Sequence, residues 1–176
     1  EAEKATQALA DYPSAAYLRV AREKTPVFST ADSPFEVGKA YVLREGSDVS
    51  LLATGIETPF ALKAAQQLES EGVSVEVVHV PTVKPLDEAT ILESVRKTGR
   101  VVTAEDAQVA GGFGGAVAEL LGDKLPSPLL RIGVNDRYGE SGAPLEVHKN
   151  LGLADDSIAT RVKGFVASRP AYKPGF

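Results

Sequence analysis

The run from Val101 to Glu119 constrains the fold more than any other stretch of the chain. Its first residues, Val101-Val102-Thr103-Ala104, form an apolar segment that ends in the adjacent carboxylates Glu105 and Asp106. The glycine-rich turn Gly111-Gly112-Phe113-Gly114-Gly115 follows, and after it a helical pattern begins. A strand, a loop and a helix in this order are typical of an open α/β sheet, where functional loops follow the carboxyl ends of the strands.

The same alternation occurs elsewhere in the chain. Residues 49–53 and 73–80 are almost continuously apolar, as expected of parallel strands covered on both faces, and a helical stripe follows each of them. A strand at 40–43 is joined to residues 49–53 by only five turn residues, which predicts an antiparallel hairpin because a parallel crossover needs more chain. The sequence therefore predicts a three-layer α/β domain with a mixed, mostly parallel sheet of about five strands, one of them antiparallel at the start.

The patterning also divides the chain into segments. Residues 1–10 have a helical pattern without an N-terminal cap, and residues 16–21 are typical of a strand. Because the first residue is Glu and the chain contains no methionine, we expect that further sequence precedes it. We predict the end of an earlier domain at 1–30, a linker at 31–38, the α/β domain at 39–167 and a tail at 168–176.

Composition argues against several classes of function. Lys and Arg number 19 against 24 Asp and Glu, a net charge of −5 with no basic cluster, so nucleic-acid binding is not expected. The absence of cysteine excludes thiolate catalysis and Cys-ligated metals, and no other metal site is supported. No apolar run approaches the ~20 residues of a membrane helix. No signal peptide is visible, so we expect a cytoplasmic protein without membrane contact.

The glycine turn, the adjacent carboxylates and the two histidines do not form a pattern typical of catalysis. Gly111–Gly115 fits neither the dinucleotide fingerprint nor a P-loop, so a tight strand-to-helix turn is favoured over a phosphate site. Glu105 and Asp106 would point to opposite faces of an extended segment, which favours capping or a partner contact over catalysis. We predict that His79 is a hydrogen-bonded structural residue and that His148 lies on the surface. Residue chemistry alone assigns no reaction and no catalytic residue.

Two arginines lie at the end of the strand predicted at 16–21. The guanidinium groups of Arg19 and Arg22 are suited to bidentate capture of phosphate. A surface charge or an interdomain salt bridge is the ordinary role of such residues. The residues alone leave both roles open.

An ordered set of short motifs carries a family resemblance. The motifs are Gly38-Lys39-Ala40, the stretch 46–55, the stretch 81–87, Glu105-Asp106 with 108–112, and Gly139-Glu140-Ser141-Gly142-Ala143-Pro144. In order and spacing they resemble the C-terminal part of the transketolases over residues 1–165, although Ala107 stands where many relatives have a histidine. Deoxyxylulose-phosphate synthases and the beta subunits of 2-oxoacid dehydrogenases resemble the chain less closely.

The resemblance implies a thiamine-diphosphate enzyme that transfers a two-carbon ketol unit between sugar phosphates. Such an enzyme has a diphosphate-binding, a pyrimidine-binding and a C-terminal domain, and forms a homodimer. Thiamine diphosphate and magnesium would be held by a missing N-terminal portion, so this chain alone should be inactive. Aligning Pro26 and the preceding strand assigns Arg22 to the substrate phosphate. Glu105 and Asp106 are candidates for a domain or subunit contact. Three alternatives remain. The first is a related thiamine-diphosphate enzyme, either a deoxyxylulose-phosphate synthase or a 2-oxoacid dehydrogenase beta subunit. The others are a non-catalytic subunit-interaction module and a nucleotide-binding domain that uses Gly111–Gly115.

Overall fold

The computed structural model describes residues 1–22 and 24–172, and its centre is one five-stranded sheet in the order β1-β3-β2-β4-β5. The strands are β1 (Tyr41–Arg44), β2 (Val49–Ala53), β3 (Val75–His79), β4 (Val101–Gln108) and β5 (Leu129–Val134). The helices are α1 (Ala2–Ala10), α2 (Glu57–Ser70), α3 (Glu88–Thr98), α4 (Phe113–Lys124), α5 (Pro144–Asn150) and α6 (Asp155–Ser168). None of these helices in the described residues is long and apolar enough to cross a bilayer.

Helices cover both faces of the sheet, which confirms the predicted three-layer α/β fold. Strands β2 to β5 are mutually parallel, and β1 is antiparallel to its neighbour β3. Because successive strand residues point to opposite faces, Leu51 belongs to the core beneath α2 and α6, whereas Leu52 belongs to the core beneath α3 and α4. All five residues of β2 are buried, and a fully buried Leu contributes about 1.5–3 kcal/mol.

The predicted hairpin between β1 and β2 is wrong, because β1 pairs with β3 instead. Both edges of β2 are occupied by β3 and β4, so the turn after β1 must pass over the start of β3 to reach β2. A Cβ atom at Gly46 would lie 2.2 Å from the backbone of Val75 and Glu76, which shows how closely the turn crosses. The Asp48 N–H donates to the Ser74 carbonyl oxygen at 2.8 Å, and the Ser74 N–H donates to the Asp48 carboxylate at 2.8 Å.

The N-terminal region has less regular structure than the sequence predicts. Helix α1 forms, but the strand predicted at 16–21 is absent, because no strand in the described residues lies alongside to complete its ladder. Residues 13–29, with Glu23 outside the described residues, contain no helix or strand. This segment returns along the carboxyl edge of the sheet and leaves Tyr17 88% and Val27 91% exposed.

The chain after α6 lies against the opposite, amino edge of the sheet. The Tyr172 N–H donates to the Gly99 carbonyl oxygen at 2.8 Å. Arg100 donates to the carbonyl oxygens of Val166 and Arg169 at 2.8 and 2.7 Å. Of the tail predicted at 168–176, residues 173–176 lie outside the described residues.

Candidate functional site

A groove of about 1620 Å³ lies between the N-terminal segment and the carboxyl edge of the sheet. One wall consists of the loops that follow β2, β3 and β4, at residues 54–56, 81–86 and 111–113. The other wall is the N-terminal segment, at residues 14–21 and 25–29. Loops at the carboxyl ends of parallel strands are where open α/β sheets bind their ligands, so this groove is the candidate site.

Glu105 anchors the glycine turn at the floor of this groove. Its buried carboxylate accepts hydrogen bonds from the backbone N–H groups of Phe113 at 2.7 Å and Gly114 at 2.8 Å, at the amino end of α4. A Cβ atom at Gly112 would lie 2.2 Å from the Glu105 carboxylate, so this close approach requires glycine. Burial raises the pKa of Glu105, and the two N–H donors oppose that shift.

The capping by Glu105 also bears on the phosphate hypothesis. Free N–H groups at a helix amino end attract anions, and a nucleotide site on Gly111–Gly115 would need them. Two of those N–H groups already bond to an internal carboxylate. The turn therefore serves the structural role that the sequence favours, and the geometry argues against the nucleotide-binding alternative.

Asp106 points away from Glu105 and pairs with the N-terminal segment. Its two carboxylate oxygens accept hydrogen bonds from the two terminal nitrogens of Arg19 at 2.7 and 2.8 Å. The pair is partly open to solvent, with 58% of the Arg19 and 26% of the Asp106 side chain exposed. The hydrogen bond raises the pKa of the Arg19 guanidinium. Of the two candidate arginines, Arg19 is thus the one in a salt bridge.

Arg22 lies three residues farther along the same segment. It is exposed, and unlike Arg19 it does not line the groove. Among the described residues it forms no hydrogen bond or ion pair, so its predicted phosphate contact stays a prediction. The possible domain or subunit contact of Glu105 and Asp106 likewise stays a prediction, because the partners of both are internal.

His79 ends β3 and has a partner on each ring nitrogen. Nδ1 lies 2.7 Å from the Thr58 hydroxyl, and Nε2 lies 2.5 Å from the Glu1 carboxylate. The Phe28 ring packs edge-on against the imidazole at a centroid distance of 5.0 Å. This histidine is hydrogen-bonded and structural, as the sequence predicts, and it joins α1 and the N-terminal segment to the sheet.

His148 contradicts its prediction, because it is buried rather than on the surface. Helix α5 folds back onto the start of α2, so the imidazole packs 4.5 Å from the Phe60 ring centroid. Its Nε2 lies 3.2 Å from the carboxylate of the fully buried Glu57, close enough for an ion pair but not aligned as a hydrogen bond. Burial raises the pKa of Glu57, whereas Glu57 raises the pKa of His148 against the effect of burial. The sequence contains no local signal for this pair, because the two residues belong to separate helices.

The described residues do not provide a site for thiamine diphosphate or its metal. No group of three or more Asp, Glu or His side chains is placed to hold a metal ion within residues 1–22 and 24–172. The one helix end that faces the groove with a glycine turn is capped by Glu105. The groove can therefore contribute a wall to a larger site, but it does not bind the cofactor's diphosphate by itself.

Residues 38–158 match the family model for the transketolase C-terminal domain. The chain is 46% identical over 142 residues to the 6-deoxy-6-sulfo-D-fructose transketolase subunit of Clostridium sp. (strain MSTE9), covering 81% of this chain and 44% of that protein. It is 41% identical over 157 residues to a putative transketolase C-terminal section of Methanocaldococcus jannaschii, covering 88% and 49%. A 1-deoxy-D-xylulose-5-phosphate synthase of Thermomicrobium roseum is 40% identical over 140 residues, covering 79% and 22%.

Solved structures agree with these sequence matches. A split-gene transketolase, described as an inactive beta4 tetramer, superposes with a TM-score of 0.80 at 41% identity and covers 85% of this chain and 49% of its own. A Pichia stipitis transketolase shares the fold at a TM-score of 0.58 and 22% identity, covering 74% and 18%. The chain spans about half the length of the first two relatives named above. By family model and sequence identity, the chain belongs to the transketolase family, with residues 38–158 forming its C-terminal domain.

Proposed function

We propose that this chain is the C-terminal part of an enzyme that transfers a two-carbon ketol unit between sugar phosphates. Transketolase-like enzymes of this family depend on thiamine diphosphate, which supplies the electron sink for the reaction. In our proposal a separate N-terminal portion binds the cofactor and magnesium. The present chain closes the site and contacts the substrate, and the complete enzyme is a homodimer in the cytoplasm.

One contrast carries this proposal. The C-terminal domain buries its apolar side chains, whereas the N-terminal segment leaves apolar side chains exposed. Residues 41–168 form an open five-stranded sheet with helices on both faces and two apolar cores, whereas residues 13–29 expose apolar side chains beside the groove. A groove with one unfinished wall fits a site that another part of the enzyme completes. The Clostridium relative is itself named as a subunit, and the split-gene structure is a separate chain, which supports a partner of this kind.

The proposal assigns roles along the chain. Residues 1–30 are the end of the pyrimidine-binding domain, 31–38 a linker, 39–167 the C-terminal domain and 168–176 a tail. Arg22 binds the substrate's phosphate, since it is exposed, follows the groove-lining residue Ala21 and has no internal partner in the described residues. Asp106 holds the interface between the segment 1–30 and the C-terminal domain, and Glu105 supports it from the amino end of α4.

Ketol transfer by the complete protein tests the proposal. The chain would be combined with its N-terminal portion, thiamine diphosphate and magnesium, with xylulose 5-phosphate as donor and an aldose phosphate as acceptor. We expect transfer from the complex and none from the chain alone. Arg22→Ala should weaken donor binding by roughly 1.5–3 kcal/mol through loss of a charge-assisted contact, about a 10- to 150-fold rise in KM. Absence of transfer with every ketose phosphate tried would refute the proposal.

A second candidate is supported by a specific similarity. The Thermomicrobium relative, at 40% identity, is a 1-deoxy-D-xylulose-5-phosphate synthase. If the completed enzyme forms 1-deoxy-D-xylulose 5-phosphate and transfers no ketol unit, this second activity replaces the first. A non-catalytic interaction module would instead form a stable complex with neither activity.

A further inference from the structure

The described residues of the N-terminal segment between Pro13 and Val27 make their polar contacts with the rest of the protein through one side chain. Within its described residues, every hydrogen bond to the remainder of the chain comes from Arg19. The Arg19 guanidinium donates two parallel hydrogen bonds, of 2.7 and 2.8 Å, to the Asp106 carboxylate. The two residues are 87 positions apart in sequence. Bidentate pairs of this kind fix orientation as well as distance, which a lysine in the place of Arg19 would not do.

Asp106 is held on the sheet domain chiefly through the residue before it. It lies in β4 beyond Ala104, the last β4 residue paired with β2, and the pairing with β5 is irregular between Ala104 and Gln108. The preceding residue, Glu105, is locked to the amino end of α4 by two backbone N–H groups. The Asp106 carboxylate therefore has little freedom to follow the segment, and the segment takes its position from Asp106.

The spacing of the two arginines links this contact to the proposed substrate site. Arg19 and Arg22 are three residues apart, a span of at most about 10–11 Å. Arg19 donates to both oxygens of the Asp106 carboxylate, so that carboxylate is already occupied. Among the described residues Arg22 has no ion pair, and its charge can meet an anionic ligand. Without Arg19, the Asp106 carboxylate lies within the range of a long, mobile Arg22 side chain.

We propose that the Arg19–Asp106 pair is a positioning device for Arg22, which sets where the phosphate-binding guanidinium stands and keeps it from pairing internally. The inference rests on the proposed function, since it gives Arg22 a substrate to bind. Arg19 and Asp106 thereby support substrate binding without contacting the substrate themselves. The pair acts through the backbone of residues 19–22.

Kinetics of the complete enzyme test this inference with a matched pair of donors, xylulose 5-phosphate and unphosphorylated xylulose. Asp106→Asn keeps the side-chain volume and removes the charge. It should raise KM for xylulose 5-phosphate about 5- to 20-fold, leave kcat within about twofold, and leave kcat/KM for xylulose unchanged. In an Arg22→Ala background the same change should have no further effect, because neighbours that act as one unit are not additive. The charge-exchanged double variant Arg19→Asp/Asp106→Arg should recover most of the loss.

A second readout does not depend on activity. In the complex with the N-terminal portion, hydrogen exchange of residues 15–22 should quicken at least several-fold in Asp106→Asn, while exchange in β2 and β3 stays unchanged. Asp32→Asn, which alters an exposed carboxylate in the turn at 31–33, is the control and should change neither readout.

The outcomes separate this inference from the proposed function. If the unaltered enzyme transfers no ketol unit, both are overturned. If it transfers normally and Arg22→Ala selectively impairs the phosphorylated donor, but Asp106→Asn impairs both donors equally or retains its effect without Arg22, only the positioning inference is overturned. Unchanged hydrogen exchange of residues 15–22 in Asp106→Asn would also overturn it.

Discussion

The sheet domain and the N-terminal segment differ in how they use their apolar residues. In the sheet domain, from Tyr41 to Ser168, the strands and helices bury two apolar cores with side chains such as Leu51 and Leu52 fully inaccessible. In the segment before it, Tyr17, Val20 and Val27 are exposed by 88%, 58% and 91%. Exposed apolar side chains that form a contiguous patch are typical of a surface that another protein part covers. The first region buries its apolar side chains internally, and in our proposal the second is half of an interface.

Side-chain contacts between the two regions include one group at His79 and one at Asp106. The His79 imidazole, with Glu1 and Phe28 against it, forms one contact, and the Arg19–Asp106 pair forms another. Partly exposed ion pairs contribute about 0–1 kcal/mol each. The segment should therefore open locally at a lower free energy than the sheet domain.

The turn between β1 and β2 should be the position most sensitive to substitution. Gly46→Ala would place a Cβ atom 2.2 Å from the backbone of Val75 and Glu76, so either the turn or β3 must shift. We expect a loss of about 3 kcal/mol or more in the free energy of unfolding in urea. Gly122→Ala in α4 is the matched control, because no atom lies within 4 Å of its Cβ position, and it should stabilise by ~0.5–1 kcal/mol. Equal effects of the two substitutions would contradict the crossing turn.

The buried pair of Glu57 and His148 should produce the next largest effect. His148→Ala leaves the Glu57 carboxylate buried without an opposite charge, which should cost about 2–3 kcal/mol at pH 6. Urea unfolding measures the loss. Lys149→Ala, an exposed neighbour on α5, is the control and should change stability by less than ~0.5 kcal/mol.

The same pair predicts a pH dependence. Because the pKa of His148 is raised in the folded protein, its stabilising effect is complete below the unfolded value of about 6.5 and is lost as the pH rises through the raised value. The pKa of Glu57 is also raised, so its contribution changes with pH in the same direction. The difference in unfolding free energy between the wild type and His148→Ala should therefore shrink from pH 6 to pH 9. A difference that stays constant would show that the histidine is not charged in the folded protein.

The Glu105 cap should have a smaller but measurable effect. Glu105→Gln preserves volume, yet its amide nitrogen would face one of the two backbone N–H groups that now bond to the carboxylate. We expect a loss of about 1–2 kcal/mol, measured by the same unfolding experiment. Glu119→Gln, on the exposed face of α4, serves as control. An unaltered stability in Glu105→Gln would mean that the cap is not needed to hold the glycine turn.

The exposed apolar residues should have the smallest effect on the chain alone. Tyr17→Ser and Val27→Ser should change its free energy of unfolding by less than ~0.5 kcal/mol, because neither side chain is buried. Both should weaken binding to the N-terminal portion, which isothermal titration would detect. Loss of stability without loss of binding would reverse the roles that we assign to the two regions.

The sequence predicts those parts of the fold whose signals are local. Asp87 accepts a hydrogen bond from the Thr90 N–H at the start of α3, and Gly99 ends the same helix with φ at +73°. The apolar stripe of α2 is buried as its spacing predicts. Each of these features depends on residues within one or two turns of the helix, so periodicity and capping rules are sufficient to find them.

Features that depend on distant residues could not be predicted in this way. Strand β1 pairs with β3 because β3 and β4 occupy both edges of β2. His148 is buried because α5 folds back onto the start of α2. The choice of Arg19 rather than Arg22 as the partner of Asp106 depends on how the N-terminal segment returns over the groove. At the candidate site, the sequence identified Glu105, Asp106 and the two arginines as residues of interest but not how they pair.

Hydrogen exchange of the chain, alone and with its N-terminal portion, tests the central contrast most directly. Alone, we expect slow exchange throughout β2, β3 and β4 and rapid exchange over residues 13–22, since these backbone N–H groups lack partners in the described structure. Addition of the N-terminal portion should protect residues 13–22 by at least about tenfold and leave the sheet unchanged. Slow exchange over 13–22 in the isolated chain, or no added protection in the complex, would contradict the view that this segment is half of an interface.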